Sequence, residues 1–368
     1  MLWKIYGVPE KHLGRFGMNK NILKQYKHKR VLVTGHTGFK GSWLCSALLM
    51  ADAEVHGYAL APDMDPSLFN LLGLGGRMNS ILADIKDYEK LNAVMQEVRP
   101  EIVFHLAAQP LVRVSYKDPV NTFAINILGT VHLLEAIRKM QAVKACVIIT
   151  TDKVYEDNVE SIGYREDDRL GGSDPYSASK ACTELVVKSY LKSFFGEEGS
   201  TCIATVRAGN VIGGGDYAID RIIPDCVRSA RNKEAIPIRN PYSVRPWQHV
   251  LEPLAGYLML ALKLEEGERH FCSAFNFGPD KDDTLTTGEL ASVFCDYWGG
   301  NLTWEHRGEL KAPHESAILK LDITKVKETL VWMPKLTVKQ AVELVVKWEK
   351  SFNKLLVTEN QIKEYFAL

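Results

Sequence analysis

Apolar residues in this chain follow two patterns: short runs rich in β-branched residues, and longer stretches in which apolar positions recur every three or four residues. The short runs predict strands, and the longer stretches predict amphipathic helices. Strands are predicted near 30–34, 54–59, 79–83, 101–106, 144–150 and 202–208, and helices near 40–51, 87–98, 119–140 and 174–195. This alternation is typical of an α/β domain with a doubly wound parallel sheet.

The regular alternation ends near residue 210, where glycine and proline turns separate shorter elements. Gly213-Gly214-Gly215 and Arg239-Asn240-Pro241 are two such turns. We therefore predict a nucleotide-binding domain over 18–208 and a smaller mixed α/β domain over 209–368, with the chain crossing between the lobes. The first 17 residues differ from the pattern and take no part in the prediction.

A glycine-rich turn joins the first predicted strand to the first predicted helix. Gly35, Gly38 and Gly41 recur at every third position of Gly35-His36-Thr37-Gly38-Phe39-Lys40-Gly41. In such a unit the glycines permit the tight turn, the approach of a pyrophosphate and the packing of helix on strand. Free N–H groups at the helix start face the anion. The segment therefore predicts a Rossmann-type dinucleotide site.

Tyr176 and Lys180 stand four residues apart near the start of a predicted helix, so both side chains lie on one face. A phenol titrates near ~10, so an adjacent ammonium and a cationic nicotinamide would have to lower its pKa by about 3 units before it could act as a base at neutral pH. The pair follows a predicted strand that ends in Thr150-Thr151-Asp152-Lys153. This arrangement predicts proton abstraction coupled to hydride transfer.

The composition fits a compact enzyme without a strongly charged surface. Lys+Arg and Asp+Glu each count 45, so no basic field is available for nucleic acid or an anionic membrane. The 7 cysteines stand singly in apolar segments and predict reduced thiols of a cytoplasmic protein. No apolar run suggests a membrane span, and no His/Cys cluster has metal-ligand spacing, so we expect no metal.

The chain resembles the extended short-chain dehydrogenases/reductases, and among them the sugar-nucleotide 4,6-dehydratases, particularly the branch that acts on CDP-glucose. The resemblance covers about 29–334. The segments that carry it are GHTGFKG (35–41), LAAQPLVRVSY (106–116), NTFAINILGT (121–130), TTDKVY (150–155), YSASK (176–180), RAGNVIGGGD (207–216) and RPWQHVLEPLAGYL (245–258).

The resemblance implies an NAD-dependent lyase and assigns its catalytic residues. Tyr176 would take the proton of the sugar 4-hydroxyl, Thr151 would hydrogen-bond that oxygen, and Lys180 would lower the phenol pKa and hold the nicotinamide ribose. Asp152 and Lys153 would serve the elimination across C5 and C6. Lys153 is left open as either the C5 base or an electrostatic stabiliser of the enolate. Related 4-epimerases carry small or hydroxyl residues at these two positions, which disfavours that alternative.

The resemblance also implies a set of cofactor contacts. They are Gly35, Thr37, Gly38, Phe39, Lys40, Gly41, Asp84, Ile85, Leu106, Ala107, Ala108, Tyr176 and Lys180. The second predicted strand lacks the acidic residue that usually binds the NAD ribose, and Asp63 is the nearest acid. Asp84 is left open between an adenine contact and a helix N-cap. His36 and Lys40 depart from the family pattern, so we expect weaker NAD binding than in relatives.

For the nucleotide sugar, the matching positions are Gln109, Asn210, Arg239 and Arg245, with Arg113, Tyr116 and His314 as further candidates. The residues leave open which nucleotide base is selected. Another 4,6-dehydratase, a nucleotide-sugar 4-epimerase and a non-catalytic NAD-binding scaffold remain as alternatives, although the scaffold would not require Tyr176 and Lys180.

The resemblance further implies a cytoplasmic homodimer, or a tetramer of dimers, in deoxysugar biosynthesis of the lipopolysaccharide O-antigen type. The stretches 119–140 and 176–195 would pair across a two-fold axis. We expect Leu133, Leu134, Leu185 and Val186 on their outer faces.

Overall fold

The computed structural model describes residues 22–157, 163–308 and 319–367. Its centre is a sheet of seven parallel strands, in the order β11-β6-β5-β4-β1-β2-β3. These strands are β1 Arg30–Thr34, β2 Glu54–Ala59, β3 Asn79–Leu82, β4 Ile102–His105, β5 Ala145–Ile149, β6 Cys202–Ala208 and β11 Ala274–Phe277. The predicted doubly wound parallel sheet is therefore confirmed.

Short strands pair outside this sheet. β7 Val211–Ile212 pairs with β10 Gln248–His249, β8 Ile236–Ile238 with β13 Trp304–His306, and β9 Val244–Arg245 with β12 Leu285–Thr286. The α-helices are α1 Phe39–Met50, α2 Leu68–Leu71, α3 Tyr88–Val98, α4 Val112–Lys117, α5 Pro119–Phe123, α6 Gly129–Arg138, α7 Pro175–Ser193, α8 Ile222–Asn232, α9 Leu251–Glu265, α10 Thr287–Trp298, α11 Thr324–Thr329, α12 Val338–Lys350 and α13 Lys354–Phe366.

Burial on both faces explains why the central strands are continuous apolar runs. Every residue of β4, β5 and β6 is buried, as expected for a parallel sheet covered by helices on each side. One apolar cluster, which includes Val31 and Trp43, lies on one face, and a second, which includes Leu32 and Leu134, lies on the other. The alternation of Val31 and Leu32 between the two clusters is the two-residue period of a strand.

A third apolar cluster lies among the elements that follow the sixth strand. It includes Ile223 of α8, Phe294 of α10 and Val342 of α12. The chain returns to the central sheet between these elements, because α9 packs against β5 and β6 and β11 adds the edge strand beside β6. The strand at Ala274–Phe277 was not among those predicted from the pattern.

The predicted helix 119–140 is divided in the structure. Asp118 caps α5 by accepting a hydrogen bond from the backbone N–H of Asn121, and a π-helical turn, Ala124–Leu128, separates α5 from α6. By length and composition the whole run Pro119–Arg138 could cross a membrane, with a mean hydropathy of 1.3, but 44% of that stretch is buried inside the protein.

The expectation that Leu133 and Leu134 lie on the outer face is wrong, because both side chains are fully buried in the cluster beneath the sheet. Leu185 is 55% exposed, as expected, and Val186 is partly buried. The outer face of the divided helix instead presents Val120 and Leu128, which are 80% and 46% exposed.

Candidate active site

A cleft of about 650 Å³ lies at the carboxyl ends of the parallel strands. It includes the point between β1 and β4 at which the strand order reverses. This is the position at which open α/β sheets bind their ligands. The cleft brings together most of the residues predicted from the sequence. Those that line it are Gly35, Thr37, Gly38, Phe39, Lys40, Gly41, Asp84, Ile85, Leu106, Ala107, Ala108, Arg113, Thr151, Asp152, Lys153, Tyr176, Lys180, Asn210, Arg239 and Arg245.

The glycine turn has the geometry that an anionic cofactor needs. Gly35 has φ +73°, and a Cβ there would lie 2.7 Å from the backbone nitrogen of Ala107. A Cβ at Gly41 would lie 2.2 Å from the carbonyl oxygen of Gly35. Gly38 is the N-cap of α1, with no side-chain cap and no acidic residue in the first turn. The free N–H groups of this helix start therefore fit a pyrophosphate.

The part of the cleft beside the glycine turn is lined by the chain that follows β2. Leu60, Ala61, Pro62 and Asp63 contribute to this wall. The Thr37 hydroxyl donates to the carbonyl of Leu60 over 2.9 Å and so joins the glycine turn to this segment.

Asp84 lies in the cleft wall, and a different residue caps the following helix. The N-cap of α3 is Asp87, whose side chain accepts a hydrogen bond of 3.0 Å from the backbone N–H of Lys90. Asp84 accepts from the backbone N–H of Lys86 over 2.9 Å. Because the cap is supplied by Asp87, this geometry favours the adenine contact for Asp84, which stays a prediction.

His36 points away from the cleft. Its Nε2 lies 2.7 Å from the hydroxyl of Ser80, and its ring packs edge-on to Phe69. A Cβ at Gly57 would lie 2.3 Å from the His36 ring, so β2 needs a glycine there. Burial lowers the pKa of His36 to about 4, so the ring is neutral at neutral pH.

Lys40 lines the cleft and faces its reactive end. Burial lowers the pKa of Lys40 to about 8, and the nearby positive charge of Arg221 adds to that effect. The carboxylates of Asp152 and Asp216 act in the opposite direction. Lys40 is thus one of several charges surrounding the catalytic groups.

Tyr176 is held at the start of α7. Asp174 caps this helix by accepting from the backbone N–H of Ser177 over 3.0 Å, and the hydroxyl of Ser115 accepts from the backbone N–H of Tyr176 over 3.1 Å. Burial raises the pKa of Tyr176 to about 12, opposed by the neighbouring Thr151 hydroxyl and by the positive charge of Arg221.

Lys180 follows one turn later on the same buried face of α7. Its Nζ donates to the carbonyl of Ile149, the last residue of β5, over 3.0 Å. Burial, together with the positive charge of Lys40, lowers the pKa of Lys180 to about 7, although Glu184 acts in the opposite direction. Helix and strand together hold this amine beside the segment 150–153, which we call the catalytic loop after its predicted role.

Asp152 is a buried carboxyl at the floor of the cleft. Its Oδ1 accepts a hydrogen bond of 3.0 Å from the Thr151 hydroxyl, and its Oδ2 has no hydrogen-bond partner among the described residues. Burial raises the pKa of Asp152, while Lys153 is the largest of the effects that oppose the rise. A carboxyl in this setting retains a proton more readily than an exposed one.

A buried network beneath the catalytic loop was missed by the sequence analysis. Glu184 lies one turn beyond Lys180 and accepts hydrogen bonds from the hydroxyls of Thr150 and Thr205 over 2.5 and 2.6 Å. Arg207 pairs with both oxygens of Glu184 at 3.0 Å. Glu184 thereby fixes the residue immediately before Thr151.

The network continues toward the segment that follows the catalytic loop. Arg207 also donates to the hydroxyl of Tyr155 over 2.9 Å, and Tyr155 donates to the side chain of Asn276 over 2.6 Å. The ring of Tyr155 stacks on that of Tyr164, with centroids 4.7 Å apart. The chain on both sides of the loop is thus fixed to β6 and β11.

Two charged residues of the opposite wall were also missed. Asp216 and Arg221 line the cleft and form an ion pair of 2.9 Å. Asp216 ends the RAGNVIGGGD motif and Arg221 follows it, but no local pattern shows that this turn faces Tyr176. Arg239 pairs with Asp220 at 2.8 Å in the same wall.

Three predicted substrate contacts are not found in the cleft wall: two of them do not line the cleft, and the third lies outside the described residues. Gln109 is not among the residues that line the cleft; its side chain donates to Thr122 over 2.9 Å and accepts from the N–H of Leu111 over 2.6 Å. Tyr116 is 49% exposed and does not line the cleft. His314 lies outside the described residues. These three roles stay predictions.

Among the residues that the structure describes, no group of three or more His, Cys, Asp or Glu side chains is arranged to hold a metal ion. The absence of a metal therefore remains an expectation.

The parallel sheet, its glycine turn and the Tyr176–Lys180 pair together define an enzyme of the extended short-chain dehydrogenase/reductase type. The chain belongs to the GDP-mannose 4,6 dehydratase family, whose model matches residues 32–345.

A similar curated protein is the CDP-glucose 4,6-dehydratase of Salmonella typhimurium, which is 46% identical over 350 residues and covers 93% of this chain and 97% of the relative. Solved structures of the same fold include the epimerase Mth375 of Methanothermobacter thermautotrophicus, with a TM-score of 0.77 and 23% identity over 95% of this chain and 98% of that chain. The dTDP-glucose 4,6-dehydratase of Bacillus anthracis, solved with NAD, has a TM-score of 0.75 and 22% identity over 89% and 98%.

Proposed function

We propose that this protein is a CDP-glucose 4,6-dehydratase, which converts CDP-D-glucose to CDP-4-keto-6-deoxy-D-glucose and water. The observation that carries the proposal is the 46% identity to the Salmonella enzyme over nearly the whole of both chains. The acid Asp152 and the amine Lys153 lie in one cleft with Thr151 and Tyr176, which supports it.

The first half of the reaction is oxidation at C4, for which NAD held in the cleft would supply the hydride acceptor. Tyr176 takes the proton of the 4-hydroxyl, and Thr151 hydrogen-bonds that oxygen. Arg221 opposes the rise in the pKa of the Tyr176 phenol, and Lys40 and Lys180 line the same cleft. Positive charge near the phenol favours the phenolate. The glycine turn and the uncapped start of α1 hold the cofactor diphosphate.

The second half is elimination of water across C5 and C6. The 4-ketone makes the C5 hydrogen acidic, and the C6 hydroxyl needs a proton as it leaves. Asp152, whose pKa burial raises, is suited to protonate the C6 oxygen. Lys153 either removes the C5 proton or stabilises the enolate. The same cofactor would supply the hydride at C6 that it would have taken from C4, so the reaction needs no net oxidant.

The opposite wall supplies the charge that a nucleotide diphosphate requires. Arg221, Arg239 and Arg245 line the cleft there, and their guanidinium groups can donate paired hydrogen bonds to phosphate oxygens. Asn210 lines the same cleft. In this scheme 18–208 binds NAD and 209–368 mainly binds the nucleotide sugar.

The assembly that goes with this function is a homodimer, or a tetramer of dimers, in the cytoplasm, serving deoxysugar synthesis of the lipopolysaccharide O-antigen type. Val120, Leu128, Leu185 and Phe194 are 80%, 46%, 55% and 51% exposed on the divided helix and α7. A second copy packed against this face would cover them. Sedimentation of a monomer at micromolar concentration would reject this part of the proposal.

The deciding experiment supplies the protein and NAD with CDP-, dTDP-, GDP- and UDP-glucose in parallel and follows the 4-keto-6-deoxy product by nuclear magnetic resonance. We expect turnover with CDP-glucose and little with the other three. The Tyr176→Phe variant is the control for non-enzymatic change. Formation of the 4-epimer, or a preference for another nucleotide, would overturn the proposed function.

A further inference from the structure

Two thiols meet at the edge of the central sheet that lies opposite the cleft. Cys202 is the first residue of β6, and Cys272 lies shortly before the start of β11. These strands are parallel neighbours, with Ala274 opposite Thr205. Both cysteines therefore lie at the amino ends of their strands, whereas the cleft occupies the carboxyl ends.

The two side chains lie on the same face of the sheet. Cys202 belongs to the apolar cluster that contains Ala204 and Val206, and Cys272 packs against that cluster. Neighbouring strands are about 4.8 Å apart, and a disulfide requires Cα atoms about 4.4–6.8 Å apart. The backbone N–H of Thr205 donates to the carbonyl of Ser273 over 3.3 Å, which places Cys272 beside the first residues of β6, Cys202 and Ile203. The two thiols are close enough to shift each other's pKa.

A guanidinium group stands beside this pair. The Nη1 of Arg269 lies 3.8 Å from the sulfur of Cys202. Arg269 is held there by hydrogen bonds to the carbonyls of Phe195 and Ser200. The cluster thus consists of two thiols and one fixed positive charge.

The surroundings favour the thiolate of Cys202. The hydrogen bond from Cys272 lowers the pKa of Cys202 to about 7, and Arg269 lowers it further, while burial acts in the opposite direction. The same hydrogen bond raises the pKa of Cys272. A thiolate is the reactive form of cysteine toward oxidants.

Other buried cysteines lack this setting. Burial alone raises the pKa of the Cys45 and Cys146 thiols. These two therefore remain protonated and unreactive at neutral pH, so Cys146 provides a matched internal control for the pair.

We propose that Cys202 and Cys272 form a redox-sensitive pair that a small peroxide oxidises to an intramolecular disulfide. The Cys202 thiolate attacks one oxygen of hydrogen peroxide; the O–O bond breaks, and hydroxide leaves and is protonated to water. The resulting sulfenic acid is attacked by the sulfur of Cys272, so that the S–S bond forms and the S–O bond breaks, releasing a second water. Two thiols are oxidised and one peroxide is reduced.

Because the thiols are largely buried, only an oxidant about as small as hydrogen peroxide can reach them. Cys202 is only 2% exposed, and Cys272 is partly buried. The disulfide would join the edge strand β11 to β6 and close the long chain segment between them, which stabilises a fold chiefly by restricting the unfolded chain. This site goes beyond the proposed function and does not depend on it.

The test treats the full-length protein with hydrogen peroxide, removes the excess with catalase, and maps non-reduced peptides by mass spectrometry. We expect a Cys202–Cys272 linked peptide that has lost two hydrogen atoms. Alkylation of Cys202 should fall by about tenfold or more and return after dithiothreitol. The melting temperature should rise on oxidation and return on reduction.

Two variants sharpen the test. In Cys272→Ser, the Cys202 sulfenic acid should persist and be trapped by dimedone, whereas Cys146→Ser should form the same disulfide as the unaltered chain. The proposal is overturned if peroxide oxidises exposed methionines while the linked peptide is missing, or if Cys202 links to another cysteine. The peptide map of the unaltered protein decides the question even if a variant folds poorly.

Discussion

The two walls of the cleft are held by different kinds of interaction. The catalytic wall comprises 150–153 and α7, and its supporting ion pair, Arg207 with Glu184, has side-chain exposures of 3% and 4%. The charged wall comprises 216–245, and Arg221 and Arg239 there have side-chain exposures of 35% and 29%. The ion pair that supports one wall is therefore fixed inside the core, whereas Arg221 and Arg239 of the other wall are partly solvated.

This difference separates chemistry from binding. Breaking a buried ion pair leaves an uncompensated charge in the core, whereas exposed pairs contribute little because water screens them. The catalytic wall can thus keep Thr151 and Tyr176 in hydrogen-bonding distance without a ligand. The charged wall retains side-chain freedom, which suits the recognition of a flexible diphosphate.

The largest expected effect comes from the phenol of the catalytic wall. Tyr176→Phe should lower kcat by about 10²- to 10⁴-fold, because the 4-hydroxyl loses the group that removes its proton.

Asp152→Asn combined with Lys153→Met should still oxidise C4 but stall before elimination. Rapid mixing with CDP-glucose should then show NADH absorbance that persists. Near-normal turnover by the double variant would show that the C5 and C6 steps use other residues.

Next in size is the buried support of the same wall. Glu184→Gln should destabilise the protein by about 3–5 kcal/mol, because Arg207 is left buried without a counter-charge. The free energy of unfolding from urea titration measures this. Adding Arg207→Met should recover part of the loss, since the unpaired charge is removed. The matched control Glu343→Gln, in an exposed pair with Lys347, should change stability by less than about 1 kcal/mol.

A smaller effect is expected in the charged wall. Arg221→Met should raise the KM for CDP-glucose by about 10- to 100-fold, as expected for loss of hydrogen bonds to a charged group. The unfolding free energy should fall by less than for Glu184→Gln, because Arg221 is partly exposed although its partner Asp216 is buried. Arg221→Lys keeps the positive charge, so its KM should lie between those of the unaltered protein and the Arg221→Met variant. An unchanged KM would remove Arg221 from the substrate site.

The smallest effect concerns Lys40, which stands where the walls meet. Lys40→Ile should tighten NAD binding by about three- to tenfold, because it removes a cation near the cationic nicotinamide, an interaction of about 1 kcal/mol in a hydrated site. Isothermal calorimetry measures the change. Weaker binding by the variant would mean that Lys40 pairs with the pyrophosphate. His36→Ala is the comparison, and it should affect stability more than NAD affinity because His36 lies outside the cleft.

The sequence predicted most of the sheet because its signals are local. Each buried strand of 145–149 or 202–208 is a continuous apolar run, and the glycine turn stands directly between strand and helix. The spacing of Tyr176 and Lys180 fixed their common helix face, since positions four apart lie together on any α-helix. These features depend on neighbours in the chain, so they could be predicted without coordinates.

Only the tertiary structure decided which surfaces meet. Leu133 and Leu134 are buried against the sheet. The amphipathic pattern alone does not say which face of the helix packs on the sheet and which faces solvent. The tertiary structure also brought Arg221 to Tyr176 and Arg207 to Glu184, and added Ala274–Phe277 as the edge strand beside β6. These contacts join residues far apart in the chain, and they form because packing and charge pairing act through space.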